Sequence, residues 1–155
     1  ATRAERAPVD LAAVAAARLR AWQPALPDAT LTGSGVALAR ADVVEQILDV
    51  LLDNAAKYAA GARVTVTIGA HPPGAAPGPP GTVPLTVHDD GPGLPGDEAH
   101  RLGERFYRAP SHRRVPGTGL GLSIARTLAD AADGRLEIGA PGHGFTVTLH
   151  LPAAP

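Results

Sequence analysis

The chain has no cysteine and no methionine, one Trp, two Tyr and two Phe. Without cysteine it forms no disulfide and no thiolate metal site, which fits a reducing compartment. With aromatic residues at only 3%, a core has to be assembled from Leu, Val, Ile and Ala. Neither sign of charge dominates: 14 Lys and Arg stand against 15 Asp and Glu, a formal net charge of -1. That balance excludes a nucleic-acid binder relying on a broad basic surface. No apolar run approaches the roughly 20 residues of a membrane helix. The start, Ala1 to Arg6, lacks the apolar stretch of a signal peptide. It also lacks an initiator Met, so the chain is read as a piece of something longer, whose parent is free to carry a membrane anchor.

Gly and Pro are plentiful instead, at 18 and 16 residues. A length of 155 residues suits one domain with a sizeable core and is short for two. A hydrophobic fraction of 45% and a charged fraction of 19% are ordinary for a soluble globular protein. A single domain over 1–155, with its core from about 9 to 152, is expected.

Residues 11–22 are Ala-rich, with Leu11, Val14, Leu19 and Trp22 near helical spacing. Pro24 and Pro27 stop that helix. Residues 30–38 read as extended, broken by Gly33-Ser34-Gly35 into a strand pair or a strand and turn. Asp42 offers an N-cap, with Glu45 three residues on completing a capping box. Behind it Val43, Ile47, Val50, Leu51, Asn54 and Tyr58 fall along one side of a helix that Gly61 ends. Residues 63–68 and 83–89 alternate polar and apolar, as half-buried strands do. A Pro- and Gly-rich loop separates them. Residues 91–116 are polar, Arg-rich and aperiodic, the character of a functional lid or a disordered loop. Helix returns over 121–132, with Leu120, Ile124 and Leu128 on one side and Gly134 as C-cap. Residues 135–138 and 145–151 form a hairpin. Neighbouring strands joined by short loops predict a mixed, mostly antiparallel sheet. About three helices on one face complete a two-layer α/β sandwich.

Three segments carry chemistry. Asp89-Asp90-Gly91-Pro92-Gly93-Leu94 puts a carboxylate at a strand end beside two glycines. A carboxylate there can accept a hydrogen bond from the exocyclic amine of adenine, while the glycines let backbone approach a flat base. Alone, the segment reads better as an Asp-Gly turn. Gly117-Thr118-Gly119-Leu120-Gly121-Leu122 is a glycine-rich entry to a helix, where free N–H groups attract phosphate. No strand immediately precedes it and no Gly-Lys-Ser/Thr follows, so it is neither a dinucleotide fingerprint nor a P-loop. Asn54-Ala55-Ala56-Lys57-Tyr58 offers an amide oxygen for Mg²⁺, an ammonium for phosphate and a ring for the base. Lys57 alone is as well read as a solvated helix charge, and Tyr58 as core. In the lid, Arg105, Arg108, Arg113 and Arg114 are candidates for the terminal phosphate, and equally good as solvated arginines. Phe106 reads as the lid's hydrophobic anchor. The six histidines form no metal pattern. Together the three segments describe a site for ATP with Mg²⁺.

In this order, these residues resemble the catalytic and ATP-binding domain of bacterial two-component sensor histidine kinases, of the superfamily shared with gyrase B, Hsp90 and MutL. Asn54 to Tyr58 resemble the family's asparagine box, which implies Asn54 as metal ligand. Asp89 to Gly93 are similar to the first glycine box, which implies that Asp89 binds the adenine amine. Glu104-Arg105-Phe106-Tyr107-Arg108 resemble the phenylalanine box, and 117–122 the second glycine box. The resemblance implies Asn54, Lys57 and Arg108 in catalysis. It implies Asn54, Lys57, Tyr58, Asp89, Gly91, Gly93, Leu94, Phe106, Gly117, Thr118, Gly119, Leu120, Gly121 and Leu122 around the nucleotide. Val50 departs from the family, which often has Asn there and in its ATPases Glu; this argues against efficient hydrolysis and leaves Mg²⁺ one ligand fewer.

The resemblance implies γ-phosphoryl transfer from ATP, with Mg²⁺, to a histidine on a separate dimerisation and phosphotransfer domain. No family-type acceptor motif occurs in these residues. Further expectations are a response regulator as downstream partner, no nucleic-acid partner, a cytoplasmic domain that is monomeric alone, and a homodimeric parent. Two other readings stand beside it. One is an anti-sigma-type serine kinase of the same fold. The other is a regulatory module that binds nucleotide without transfer.

Overall fold

A computed structural model describes residues 5–58, 63–70, 78–91, 121–139 and 144–155. Among these there are seven strands and three helices: β1 (Ala7–Asp10), α1 (Leu11–Trp22), β2 (Thr30–Gly33), β3 (Val36–Ala39), α2 (Ala41–Tyr58), β4 (Val64–Ile68), β5 (Thr82–Asp89), α3 (Gly121–Ala131), β6 (Arg135–Ile138) and β7 (Phe145–Pro152). The main sheet has the order β2-β4-β5-β7-β6. Only β2 and β4 run parallel; the other neighbours are antiparallel. β1 and β3 form a separate antiparallel pair, tied to the end of β7 by a bridge between Ala37 and Ala153. Of the two expectations at 30–38, a strand pair or a strand and turn, the structure shows two strands that do not pair with each other. Gly33 and Gly35 send them into different sheets. Four-residue β1, which contains Pro8, gave no alternation to detect.

Alternation sets the two faces of the sheet. Val66, Val87 and Val147 pair across β4, β5 and β7, as do Ile68, Leu85 and Leu149 across the same strands. All are buried, together with Val44, Ile47, Leu48, Leu51 and Leu52 of α2. Each such side chain contributes about 1.5–3 kcal/mol on leaving water, and this layer holds the sandwich together. The opposite face is polar. Thr86 and Thr148 are hydrogen-bonded through their hydroxyls at 3.1 Å, and His88 Nδ1 meets the Thr146 hydroxyl at 2.6 Å.

The helices sit as their ends dictate. Asp10 caps α1 by accepting from Ala13 N–H at 3.2 Å. α1 is fixed to α2 where Trp22 Nε1 and Arg18 both donate to Asp49, the indole at 3.0 Å. The capping box at Asp42 does not form. α2 already starts at Ala41, and the Asp42 carboxylate accepts from Val43 N–H and from Arg40. α3 ends in a Schellman turn, one residue earlier than expected. Asp133 takes the left-handed position, φ 57°, with Asp133 N–H on Asp130 O and Gly134 N–H on Ala129 O. Gly134 is needed for space, since a Cβ would press on His150 O. Arg6 closes this end, donating to Ala131 O and to the Asp133 carboxylate. The expected face of α3 is also corrected. Leu122, Ala125 and Ala129 are buried, whereas Ile124 is 48% exposed. Close approach to α2 and the sheet selects the small side chains.

Candidate functional site

Along β5, Val83, Leu85 and Val87 point into the core, and the same face at the next position carries Asp89. A carboxylate thus ends a row that period-two alternation reserves for apolar residues. It is 6% exposed. Its Oδ1 accepts from Gly91 N–H at 3.1 Å, and the Phe145 N–H, opposite it on β7, favours its charged form. Burial pushes its pKa above the ordinary carboxylate value, with neighbouring Asp90 adding to the rise; the two N–H groups and His88 oppose it. Among the described residues no cation forms an ion pair with this desolvated carboxylate, which leaves it poised for a donor from outside.

Gly144, just before β7, supports this group. Its φ is +78°, and a Cβ there would collide with the backbone of Asp89 and Asp90. Only glycine lets β7 begin so close to the end of β5. The glycine was visible, but its contact depends on pairing between strands far apart in sequence.

α2 brings the second group. Its apolar stripe turns Val44, Ile47, Leu48, Leu51, Leu52 and Ala55 to the sheet. Asn54 is half-buried beside that stripe, on the flank that also carries Val50 one turn earlier. That flank faces α3, where a Cβ on Gly121 would lie 3.5 Å from Val50 Cγ1. Lys57 is exposed and paired with Asp53, Nζ to Oδ2 at 2.9 Å. An i,i+4 pair of this kind is worth about 0.3–0.5 kcal/mol, so the ammonium can leave it for a stronger anion at little cost.

α3 brings the third. Gly121, its first described residue, is exposed and lies beside the Val50 and Asn54 flank of α2. Leu122 points into the core and offers the site its backbone only. Arg63, just before β4, bonds Asp90, just after β5, which ties the start of β4 to the exit of β5.

Of the residues expected in the site, the structure thus places Asn54, Lys57, Asp89, Gly91, Gly121 and Leu122. Tyr58 ends α2. Gly93, Leu94, Phe106, Arg108, Gly117, Thr118, Gly119 and Leu120 lie outside the described residues. Among the described residues no three His, Cys, Asp or Glu side chains could together hold a metal ion. One hard amide oxygen, from Asn54, suits Mg²⁺ shared with phosphates and water, and would not retain a metal alone.

Known proteins resemble this chain in sequence and fold. Residues 39–155 match the family described as histidine kinase-, DNA gyrase B-, and HSP90-like ATPases. Sensor protein KdpD of Mycobacterium tuberculosis (strain CDC 1551 / Oshkosh) is 35% identical over 122 residues, covering 78% of this chain and 13% of that protein. The solved structure of the mycobacterial sensor histidine kinase MprB is 27% identical with a TM-score of 0.74, covering 97% of this chain and 99% of that one. Full-length ShkA in complex with AMPPNP is 26% identical with a TM-score of 0.76, covering 96% of this chain and 31% of that one. The fold is the α/β sandwich of an ATP-binding domain. The chain belongs to the histidine kinase-, DNA gyrase B-, and HSP90-like ATPase family, and the proteins it resembles within it are sensor kinases. It spans 13% of the length of the curated relative KdpD. Among the described residues no helix is long and apolar enough to cross a membrane.

Proposed function

We propose that this chain is the catalytic, ATP-binding domain of a two-component sensor histidine kinase. The observation that carries the reading is the Asp89 carboxylate. It is buried on the core face at the end of β5, where Gly91 N–H donates to it. Its remaining acceptor capacity fits the exocyclic amine of adenine.

Asn54 would hold Mg²⁺, which when bound neutralises charge on the β- and γ-phosphates. Lys57 would exchange Asp53 for a phosphate. The first turn of α3 would donate its free N–H groups to phosphate oxygens. Gly93, Leu94, Phe106, Arg108 and Gly117 to Leu120 complete the nucleotide enclosure in this reading, with Arg108 at the γ-phosphate and Tyr58 against the base. The chain's task is then positioning: it presents the γ-phosphorus to a histidine supplied by the dimerisation and phosphotransfer domain. The imidazole nitrogen forms a P–N bond as the bond from phosphorus to the ADP oxygen breaks. ADP leaves, and the phosphoryl group passes on to a response regulator. The domain is monomeric alone and the parent dimeric in this proposal.

The test is labelling of the parent protein with ATP carrying a labelled γ-phosphate. A label stable in base and lost in acid is phosphohistidine and is the expected result. A label stable in acid and lost in base would identify a serine kinase. A parent that binds ATP and never labels would leave a nucleotide-binding regulatory module.

A further inference from the structure

β4 and β5 pair from Ile68 and Leu85 to Val64 and Asp89. The next pair along this antiparallel ladder is Arg63 with Asp90. Asp90 N–H donates to Arg63 O at 3.1 Å, as the ladder requires. The return bond is different. Arg63 N–H donates at 2.6 Å to Oδ1 of the Asp90 side chain. The side chain has taken the place its own backbone carbonyl would occupy. The ladder therefore stops at Asp90, and the chain turns back at Gly91, whose N–H reaches Asp89 Oδ1.

We infer that Asp90 is a positioning residue for nucleotide binding: by taking the Arg63 N–H with its side chain it terminates β5 and holds Gly91 against the Asp89 carboxylate. This rests on the reading of Asp89 as the adenine acceptor. The Asp90 carboxylate faces the Arg63 backbone, so it acts through Asp89 and not on the base. Without an acceptor at position 90, the backbone carbonyl can complete the ladder pair. β5 then grows by one residue, and Gly91 N–H is drawn off Asp89.

The test compares the wild-type chain with Asp90→Ala and Asp90→Asn. ADP with Mg²⁺ is titrated calorimetrically, and amide hydrogen exchange is followed at Arg63 and Gly91 by NMR. An Asn side chain keeps the oxygen that accepts from Arg63 and removes the charge. ADP affinity is expected to fall about tenfold in Asp90→Ala, the worth of one hydrogen bond to a charged group, and to stay within about threefold in Asp90→Asn. Gly91 N–H should exchange faster in Asp90→Ala alone. Wild-type affinity in Asp90→Ala would overturn the inference. So would equal losses in both variants, which would point to charge and not to the acceptor. Rapid exchange at Arg63 in the wild-type chain would overturn it without any variant. Absence of ADP binding by the folded wild-type chain overturns the nucleotide reading, and the positioning role with it.

Discussion

Replacing Asp89 by Asn tests both the chemistry and the energetics of the site. The native carboxylate has two oxygens, which serve Gly91 N–H and the incoming base. An amide offers one oxygen and two N–H groups. Its oxygen can keep Gly91 N–H, but its NH₂ then faces the adenine amine, and two donors do not bond. Losing a hydrogen bond to a charged acceptor costs about 1.5–3 kcal/mol, so ADP should bind about 10- to 100-fold more weakly. Stability should respond to pH with a definite sign. Burial raises the Asp89 pKa in the folded chain, so between the ordinary carboxylate value and that raised value the folded state holds a proton the unfolded state has released. Stability must therefore fall as pH rises through that window. Asp89→Asn cannot titrate. The difference in melting temperature, variant minus wild type, should become more positive as pH rises from about 4, with other carboxylates cancelling in the difference. Calorimetric titration with ADP and thermal unfolding from pH 4 to 8 provide the assays. Unchanged ADP affinity, or a melting difference that is flat or falls with pH, would refute the reasoning.

Other outcomes follow from single contacts. Gly144→Ala forces a side chain into left-handed backbone at φ +78°, at a cost of about 1–2 kcal/mol from conformation alone. It should melt roughly 2–8 °C lower and bind ADP more weakly, because the collision falls on the Asp89 backbone. Leu48→Ala empties a fully buried site on α2 and should lose about 2–5 kcal/mol in urea unfolding. Ile124→Ser should stay within about 0.5 kcal/mol of wild type, and a large loss there would show that the exposed face of α3 is wrongly assigned. Arg6→Ala removes the cation that closes the C-terminus of α3 and should cost about 1–2 kcal/mol by the same assay.

The elements legible in the sequence are those whose pattern is local. α1 follows from its Ala-rich run and the prolines behind it, and β4 and β5 from alternation, so their expected limits fall within about one residue of the observed ones. The position of Asp89 was legible for the same reason, since a carboxylate closing the row Val83, Leu85, Val87 is conspicuous. What could not be read depends on tertiary distance. Leu120, Ile124 and Leu128 were expected on one side of α3; Leu128 does pack against the core, but Ile124 faces out and close packing buries Ala125 and Ala129. β2 and β3 looked like partners because they are adjacent in sequence, yet β2 finds β4 and β3 finds β1. Asp42 has the right spacing for a capping box, but Arg40 claims its carboxylate. The Phe145 N–H and the Gly144 close approach reach Asp89 from another strand and leave no mark near it in sequence.

The most direct measurement is calorimetric titration of the folded chain with ADP, with and without Mg²⁺, beside Asn54→Ala. Binding that Mg²⁺ strengthens in the wild-type chain, and no longer strengthens in Asn54→Ala, is the predicted result. A folded wild-type chain that takes up no adenine nucleotide would contradict the assignment of the site.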